Sequence, residues 1–241
     1  MFRKLMDNRF DNKRIQLRRP YLLRSHEMDQ NFKIKFAKIL LKIGAVEVRP
    51  RRPFRYASGL RGPIYCDNRK ILSFPNERRL IRDGLMQLIK ESSWNFDQLA
   101  GLATAGIPHA ALLADRMEKP MVYIRSSPKG HGRGNQIEGK FHPGERLLLV
   151  EDLINQGSSL DQAMRGVQRA NLKAVGCVSI VSYQMEKAQE MAKKWELPCL
   201  SLTDFDSLCL AAKEEGLLGE GELDLLKKWR QDPKAWSERI G

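Results

Sequence analysis

The stretch Arg146–Leu160, RLLLVEDLINQGSSL, decides the fold. Its apolar run, Leu147–Val150, has the composition of a buried strand. Two adjacent carboxylates, Glu151 and Asp152, follow directly, and a loop of small residues then leads into a segment with helical spacing. Because two like charges resist burial, this acid pair needs a polyol, a metal ion or solvent to face. The pattern therefore predicts a buried strand with a polar site at its carboxyl end.

Strands alternate with helices along the rest of the chain. Apolar residues at helical spacing predict a helix from Asn31 that stops at Gly44. A hairpin-like pair of short strands is predicted around Gly59 and Gly62, followed by an amphipathic helix capped by Asn76. Further strand-to-helix units complete the chain. This order predicts an α/β fold with a mostly parallel sheet covered by helices on both faces.

The loop after the acid pair has the features of a phosphate site. In parallel sheets, ligands bind beyond the carboxyl ends of the strands, where loops meet helix N-termini. Gly157, Ser158 and Ser159 offer backbone N–H groups and hydroxyls where the helix dipole favours an anion. Glu151 and Asp152 can accept hydrogen bonds from vicinal hydroxyls and attract a divalent cation. A ribose phosphate would satisfy both the phosphate loop and the acid pair. The alternative is that this stretch is an ordinary polar turn.

A second loop carries cations. Arg125, Lys129 and His131 lie within seven residues of each other, among the glycines Gly130, Gly132 and Gly134. Three potentially cationic side chains on a glycine-rich segment suit a polyanion such as diphosphate, and glycines supply the backbone freedom that a closing loop needs. The alternative is a solvated basic loop. No GxxxxGK[ST] loop and no GxGxxG motif after a strand occur, which disfavours ordinary nucleoside-triphosphate and dinucleotide folds.

Three stretches together resemble a known family. RLLLVEDLINQGSSL is similar to the phosphoribosyl diphosphate motif of type I phosphoribosyltransferases. YASGLRGPIYCDNRKILSFP resembles the N-terminal substrate element of the orotate phosphoribosyltransferases, and RSSPKGHGRGNQIEG resembles their mobile loop. The resemblance runs from about Asp29 to Trp236, and SLTDFDSLCLAAKEEG with LLKKWRQDPKAW resembles the tail of the Gram-positive-type branch. It implies the type I phosphoribosyltransferase fold, with a small N-terminal hood and a mobile catalytic loop.

The resemblance implies a reaction and its participants. Ribose 5-phosphate passes from phosphoribosyl diphosphate to orotate, giving orotidine 5′-phosphate and diphosphate in pyrimidine biosynthesis. Mg²⁺ would bridge the diphosphate and the ribose hydroxyls, with no side chain assigned as its direct ligand. The family loop reaches into a partner's site, so a homodimer is expected. The catalytic residues implied are Lys129 and Asp152. The substrate-binding residues implied are Ser58, Tyr65, Arg69, Arg125, Lys129, His131, Glu151, Asp152, Asn155, Gln156, Gly157, Ser158 and Ser159.

The chain departs from the family pattern in the phosphate loop. Asn155 and Gln156 replace small hydroxyl residues, the first at a position that touches orotate, and Ser158 replaces a glycine and limits positive φ. Some branches also carry lysine where this chain has Ala57 and Ala105. Two alternatives therefore stay open. One is a transferase for another nucleobase, and the other is a ligand-sensing regulator that binds nucleic acid through a basic tail.

The composition of the chain bears on its N-terminal residues, on its cellular compartment and on the state of its cysteines. The net charge is +13, and residues 1–27 hold eight Lys or Arg against three Asp or Glu. With Pro20 and no sustained apolar period, residues 1–27 are predicted to be a disordered basic extension before a phosphoribosyltransferase domain at 28–241. The alternatives are a true start at Met28 or a short docking helix. We expect a cytoplasmic protein that does not enter membranes, for which nucleic acid is an unlikely partner. The four cysteines show no metal or disulfide spacing and are expected to be reduced.

Overall fold

The computed structural model describes residues 30–127 and 136–240. The strands are β1 (Val46–Val48), β2 (Phe54–Arg55), β3 (Arg61–Gly62), β4 (Ile64–Cys66), β5 (Gln98–Leu102), β6 (Met121–Ile124), β7 (Ile137–Glu138), β8 (Arg146–Ile154), β9 (Lys173–Ser182) and β10 (Cys199–Asp204). The helices are α1 (Gln30–Lys42), α2 (Pro75–Ser92), α3 (Gly106–Met117), α4 (Ser158–Arg169), α5 (Glu186–Lys194), α6 (Phe205–Glu214), α7 (Glu222–Gln231) and α8 (Pro233–Arg239). A 3-10 helix covers Asn68–Ser73.

A six-stranded sheet in the order β10-β9-β8-β5-β6-β7 forms the centre of the fold. Its strands are parallel except for the edge strand β7, which runs antiparallel to β6. The predicted mostly parallel sheet is confirmed. The predicted hairpin is present as the antiparallel pair β2 and β3, whereas the second small sheet, β1 with β4, was not anticipated. These four short strands and the 3-10 helix, residues 46–73, form the hood.

Helices cover both faces of the central sheet because β8 is apolar on both sides. Leu148 and Val150 belong to one buried cluster, which α1, α2 and α6 complete. Leu147 and Leu149 belong to a second cluster, on the side of α4 and α5. Alternate residues of a strand point to opposite faces, so an unbroken apolar run is what a two-sided core requires. The run that opens the deciding stretch therefore lies at the middle of the molecule.

The strand order places a switch point between β5 and β8. From β5 the chain continues to β6 on one side, and it later returns to β8 on the other side of β5. The loops after these two strands therefore open a crevice at the carboxyl edge, the usual ligand site of such sheets. The backbones approach closely here, since a Cβ on Gly106 would lie 2.3 Å from the carbonyl oxygen of Val150.

Two local predictions have different outcomes. The first helix ends at Lys42, and Gly44 has a φ of +67°, as its predicted stop requires. The predicted cap at Asn76 is wrong, because α2 begins at Pro75 with Phe74 as the capping residue. The fixed φ of proline suits the first helical position, so the helix starts two residues earlier than a cap at Asn76 would place it. Asn76 instead accepts a hydrogen bond from Arg79 at 2.5 Å.

Three further predictions concern the N-terminal extension, membrane-spanning helices and the cysteines. The predicted basic extension, residues 1–27, lies outside the described residues. Within the described part of the chain, no helix combines the length and the apolar character needed to cross a bilayer. All four cysteines are free thiols.

Candidate active site

The phosphate cradle, Gly157–Ser159, lies at the N-terminus of α4. Gly157 has a φ of +81°, and a Cβ there would lie 3.0 Å from Cα of Ala188, so both the conformation and the space call for glycine. Ser158 and Ser159 are exposed and begin the helix, which has no side-chain cap. The expected restriction at Ser158 does not arise, because Gly157 alone needs positive φ in this loop. The first N–H groups of α4 are therefore open to an anion.

The acid pair is asymmetric. Glu151 is buried, and its Oε1 accepts a hydrogen bond from the backbone N–H of Asp152 at 3.0 Å. Burial raises the pKa of Glu151 well above its usual value, and a hydrogen bond with the Asp152 carboxyl adds to the increase. Asp152 is only half-buried. The raised pKa disfavours the charged form of Glu151 and so eases the repulsion between the two acids, while Asp152 stays partly exposed near the end of β8.

Two buried polar residues support the outer acid, and neither was predicted as a site residue. Asn68 is fully buried and donates from Nδ2 to the backbone carbonyl of Asp152 at 2.9 Å, which ties the hood to the end of β8. His109, from α3, is also buried, and its burial lowers the pKa to about 4 although the charge of Asp152 opposes this. The imidazole is therefore neutral near pH 7. No local signal separates such residues from solvated ones.

The structure places the expected base-binding residues in the hood. Arg69 is exposed and bonds Asp67 at 2.6 Å; this hydrogen bond raises the pKa of Arg69, and the nearby charge of Asp152 adds to it. The ring of Tyr65 packs against that of Phe54, with the ring centroids 5.4 Å apart. Ser58 lies in the exposed turn between β2 and β3, and no hydrogen bond or ion pair joins it to the acid pair. Arg69 is thereby linked electrostatically to the acid pair.

The predicted diphosphate residues are only partly described. Arg125 follows β6, and its guanidinium lies 3.5 Å from the Glu138 carboxylate. A small pocket brings Arg125 together with the first turn of α4; it is lined by Leu102, Ala103, Ile124, Arg125, Ser126, Ser159, Gln162 and Ala163. Lys129 and His131 lie outside the described residues. The arrangement joins a cation and a helix N-terminus around one space, as an anionic ligand requires.

Asn155 and Gln156 connect β8 to the cradle. Asn155 is exposed and Gln156 half-buried, so the two amides that replace hydroxyl residues border the crevice without entering the core. Among residues 30–127 and 136–240, no group of three His, Cys, Asp or Glu forms a metal cluster. Mg²⁺ binds through one or two carboxylates plus substrate oxygens and waters, so the half-buried carboxylate of Asp152 fits a metal that arrives with its substrate.

Comparisons with known proteins decide the family. A model of the phosphoribosyl transferase domain matches residues 67–210. The orotate phosphoribosyltransferase of Bacillus subtilis is 46% identical over 207 residues, which cover 86% of this chain and 96% of that protein. The chain belongs to the orotate phosphoribosyltransferase family. The family and branch predicted from the sequence are confirmed, and with them the enzyme class, a pentosyltransferase.

Solved orotate phosphoribosyltransferases share the fold. That of Aeropyrum pernix matches with a TM-score of 0.66 and 27% identity, covering 76% of this chain and 99% of that chain. That of Mycobacterium tuberculosis, in complex with 5-phospho-α-D-ribosyl 1-diphosphate, matches with a TM-score of 0.57 and 23% identity, covering 73% and 98%. The predicted type I phosphoribosyltransferase fold is confirmed.

Proposed function

We propose that this orotate phosphoribosyltransferase moves the 5-phosphoribosyl group of phosphoribosyl diphosphate to N1 of orotate, giving orotidine 5′-phosphate and diphosphate for UMP synthesis. The observation that carries the proposal is the open N-terminus of α4 directly after the acid pair, at the switch point of the sheet. A 5′-phosphate beside ribose hydroxyls matches this arrangement. The similarity to proteins that are named orotate phosphoribosyltransferase supports the same reaction.

In this proposal the ribose end is held by the acid pair and the cradle. The N–H groups and hydroxyls of Gly157–Ser159 bind the 5′-phosphate, where the helix dipole favours its charge. Asp152 accepts hydrogen bonds from the ribose hydroxyls, and the buried Glu151 keeps the main chain at Asp152 in place. The sugar is then fixed with C1 directed along the crevice.

The leaving group is held by cations. The C1–O bond breaks with its electron pair on the diphosphate, and deprotonated N1 of orotate forms the new bond to C1. Charge therefore grows on the diphosphate while the ribose becomes cation-like, so positioning and charge stabilisation carry the catalysis. Arg125, Lys129 and His131 are the residues proposed to bind the diphosphate. Bound Mg²⁺ would supply further neutralisation there, held on the protein side by Asp152.

In this proposal orotate binds beside the hood. Tyr65 and Arg69, with Ser58, are proposed to contact orotate from the hood, and the amides of Asn155 and Gln156 take the places of family hydroxyls. An amide can donate to a carbonyl or carboxylate of orotate, as a hydroxyl does. We further propose a homodimer in the cytoplasm, with the loop from one protomer completing the site of its partner, and a domain that spans residues 28–241.

The test is a spectrophotometric assay of orotate consumption with phosphoribosyl diphosphate and Mg²⁺. We expect turnover that depends on both substrates, and none when uracil replaces orotate. Turnover of uracil would favour a transferase for another nucleobase. Binding of phosphoribosyl diphosphate without any turnover would favour the regulator, an alternative that no described contact supports.

A further inference from the structure

Gln136 is a buried glutamine in which every polar side-chain atom has a partner. Nε2 donates to the backbone carbonyl of Arg125 at 2.7 Å and to that of Gln162 at 3.2 Å. Oε1 accepts a hydrogen bond from the guanidinium of Arg169. A buried amide is costly unless its hydrogen bonds are made, so this side chain is held in one orientation.

The backbone of Gln136 completes a two-way link to Arg125. The N–H of Arg125 donates to the carbonyl of Gln136 at 2.9 Å, while the Gln136 side chain bonds the Arg125 carbonyl. The peptide units on both sides of the Arg125 Cα are thus fixed by one residue. The Arg125 side chain itself is 37% exposed and contacts only Glu138, at 3.5 Å, among the ion pairs described.

Helix α4 is shaped to receive the glutamine. A Cβ on Gly166 would lie 2.8 Å from Oε1 of Gln136, so glycine leaves the space that the amide occupies. Gln162 lies one turn into the helix and Arg169 ends it. The Gln136 side chain therefore contacts α4 at two places, at Gln162 and at Arg169, both after the N-terminus at which the cradle lies.

We propose that Gln136 is a positioning residue that sets the separation between Arg125 and the cradle, Gly157–Ser159. The inference rests on the proposed function, in which Arg125 binds the diphosphate and the cradle binds the 5′-phosphate. Phosphoribosyl diphosphate carries both groups on one ribose, so its two anionic ends must meet two sites at a fixed spacing. Gln136 joins the strand that carries one site to the helix that carries the other, without touching substrate.

A positioning role and a merely structural role differ in what they do to fragments of the substrate. Inorganic diphosphate and ribose 5-phosphate each need one site, so neither depends on the spacing. Phosphoribosyl diphosphate needs both sites at once, and a change in spacing costs it affinity and near-attack geometry. Loss of general stability would not distinguish the whole substrate from its parts.

The experiment measures binding of the three ligands to Gln136→Met by calorimetry, with kcat and KM by the orotate assay. We expect affinity for phosphoribosyl diphosphate to fall about tenfold, the scale of one net hydrogen bond, while each fragment changes by less than about twofold. Arg169→Met, which frees only Oε1 and removes an exposed side chain, should move the same ratio by a smaller factor.

Gln98→Met is the matched control. Gln98 is as buried as Gln136, at 5% exposure each, and donates to the Lys140 carbonyl and to Glu145. It begins β5 and therefore lies at the amino ends of the parallel strands, away from the crevice at their carboxyl ends. We expect it to lower the unfolding temperature and to leave all three affinities unchanged.

Three outcomes would overturn the positioning role. They are unchanged affinity for phosphoribosyl diphosphate in folded Gln136→Met, equal losses for substrate and fragments, or the same loss in Gln98→Met. If Gln136→Met does not fold, the ratio measured in Arg169→Met decides. A wild-type protein that binds phosphoribosyl diphosphate but forms no orotidine 5′-phosphate would defeat the proposed function alone, since the positioning test reads binding.

Discussion

Asp152, at the end of β8, and Arg125, after β6, face the crevice from two strands of one sheet, and their surroundings differ. Asp152 has the buried carboxyl of Glu151, the buried amide of Asn68 and a neutral His109 around it. Arg125 is partly exposed and is fixed through its main chain. The proposed ribose end is therefore packed among buried side chains, whereas at the proposed diphosphate end Arg125 presents a partly exposed cation on a hydrogen-bonded backbone. Changes at the first end should alter binding, and changes at the second should alter turnover.

The largest effect is expected at the diphosphate end. Lys129→Ala should lower kcat about a hundredfold or more, the scale for losing one charge contact made in the transition state. The KM for orotate should hardly change, because the residues proposed to contact orotate lie in the hood and do not include Lys129. Steady-state kinetics with both substrates measures this. Lys140→Ala, which removes an exposed lysine just after β7, is the control and should match wild type. Near wild-type turnover in Lys129→Ala would remove Lys129 from catalysis.

Changes in the acid pair should affect binding more than turnover, and the two acids should differ in how much each contributes. Asp152→Asn keeps the shape of the side chain but loses its charge, so affinity for phosphoribosyl diphosphate should fall by about tenfold or more. Glu151→Gln should cost less, because the raised pKa of Glu151 favours a neutral side chain that glutamine imitates. Calorimetry of both variants decides. Equal losses would mean that Glu151 carries its charge in the folded protein.

The sequence predicts some parts of these two ends and not others, because some of the residues that form them are adjacent in the chain and others are far apart. The buried strand, the cradle and the helix after it are adjacent in the chain, so periodicity and residue type indicate them directly. Asn68 contacts Asp152 across 84 residues, and Gln136 contacts Gln162 across 26. A polar side chain in a loop has the same local pattern whether it is buried or solvated. Contacts between distant segments therefore escaped prediction, although the family resemblance supplied the proposed roles of the site residues.

The neutral histidine beside Asp152 should make the ribose end sensitive to acid. The pKa of His109 is about 4 in the folded protein, against an ordinary value near 6.5, so the unfolded chain binds the proton first as pH falls. This histidine should cost about 1 kcal/mol of unfolding free energy between pH 7 and about 5.5.

Urea unfolding of wild type and His109→Gln at both pH values measures that difference. Carboxylates whose pKa is lowered, such as those of Asp97 and Asp204, also lose stability in acid, so only the difference between the two proteins is informative. His142→Gln replaces an exposed histidine and should leave the pH dependence unchanged. An identical pH dependence in His109→Gln would mean that His109 is not buried in neutral form.

The smallest effect is expected from the predicted basic extension, residues 1–27, to which the proposed function assigns no role. Deletion of residues 1–27 removes eight Lys or Arg and leaves α1, which begins at Gln30, and every site residue intact. Turnover and both KM values should therefore stay within about twofold of the full chain, since nothing that holds substrate is lost. The regulator hypothesis requires a different result. Nucleic acid would bind the full chain with an affinity that falls steeply as salt rises, and the deletion would abolish that binding. Titration of both forms with a labelled duplex at low and physiological salt separates the two, and tail-dependent binding at physiological salt would restore the regulator as a second function.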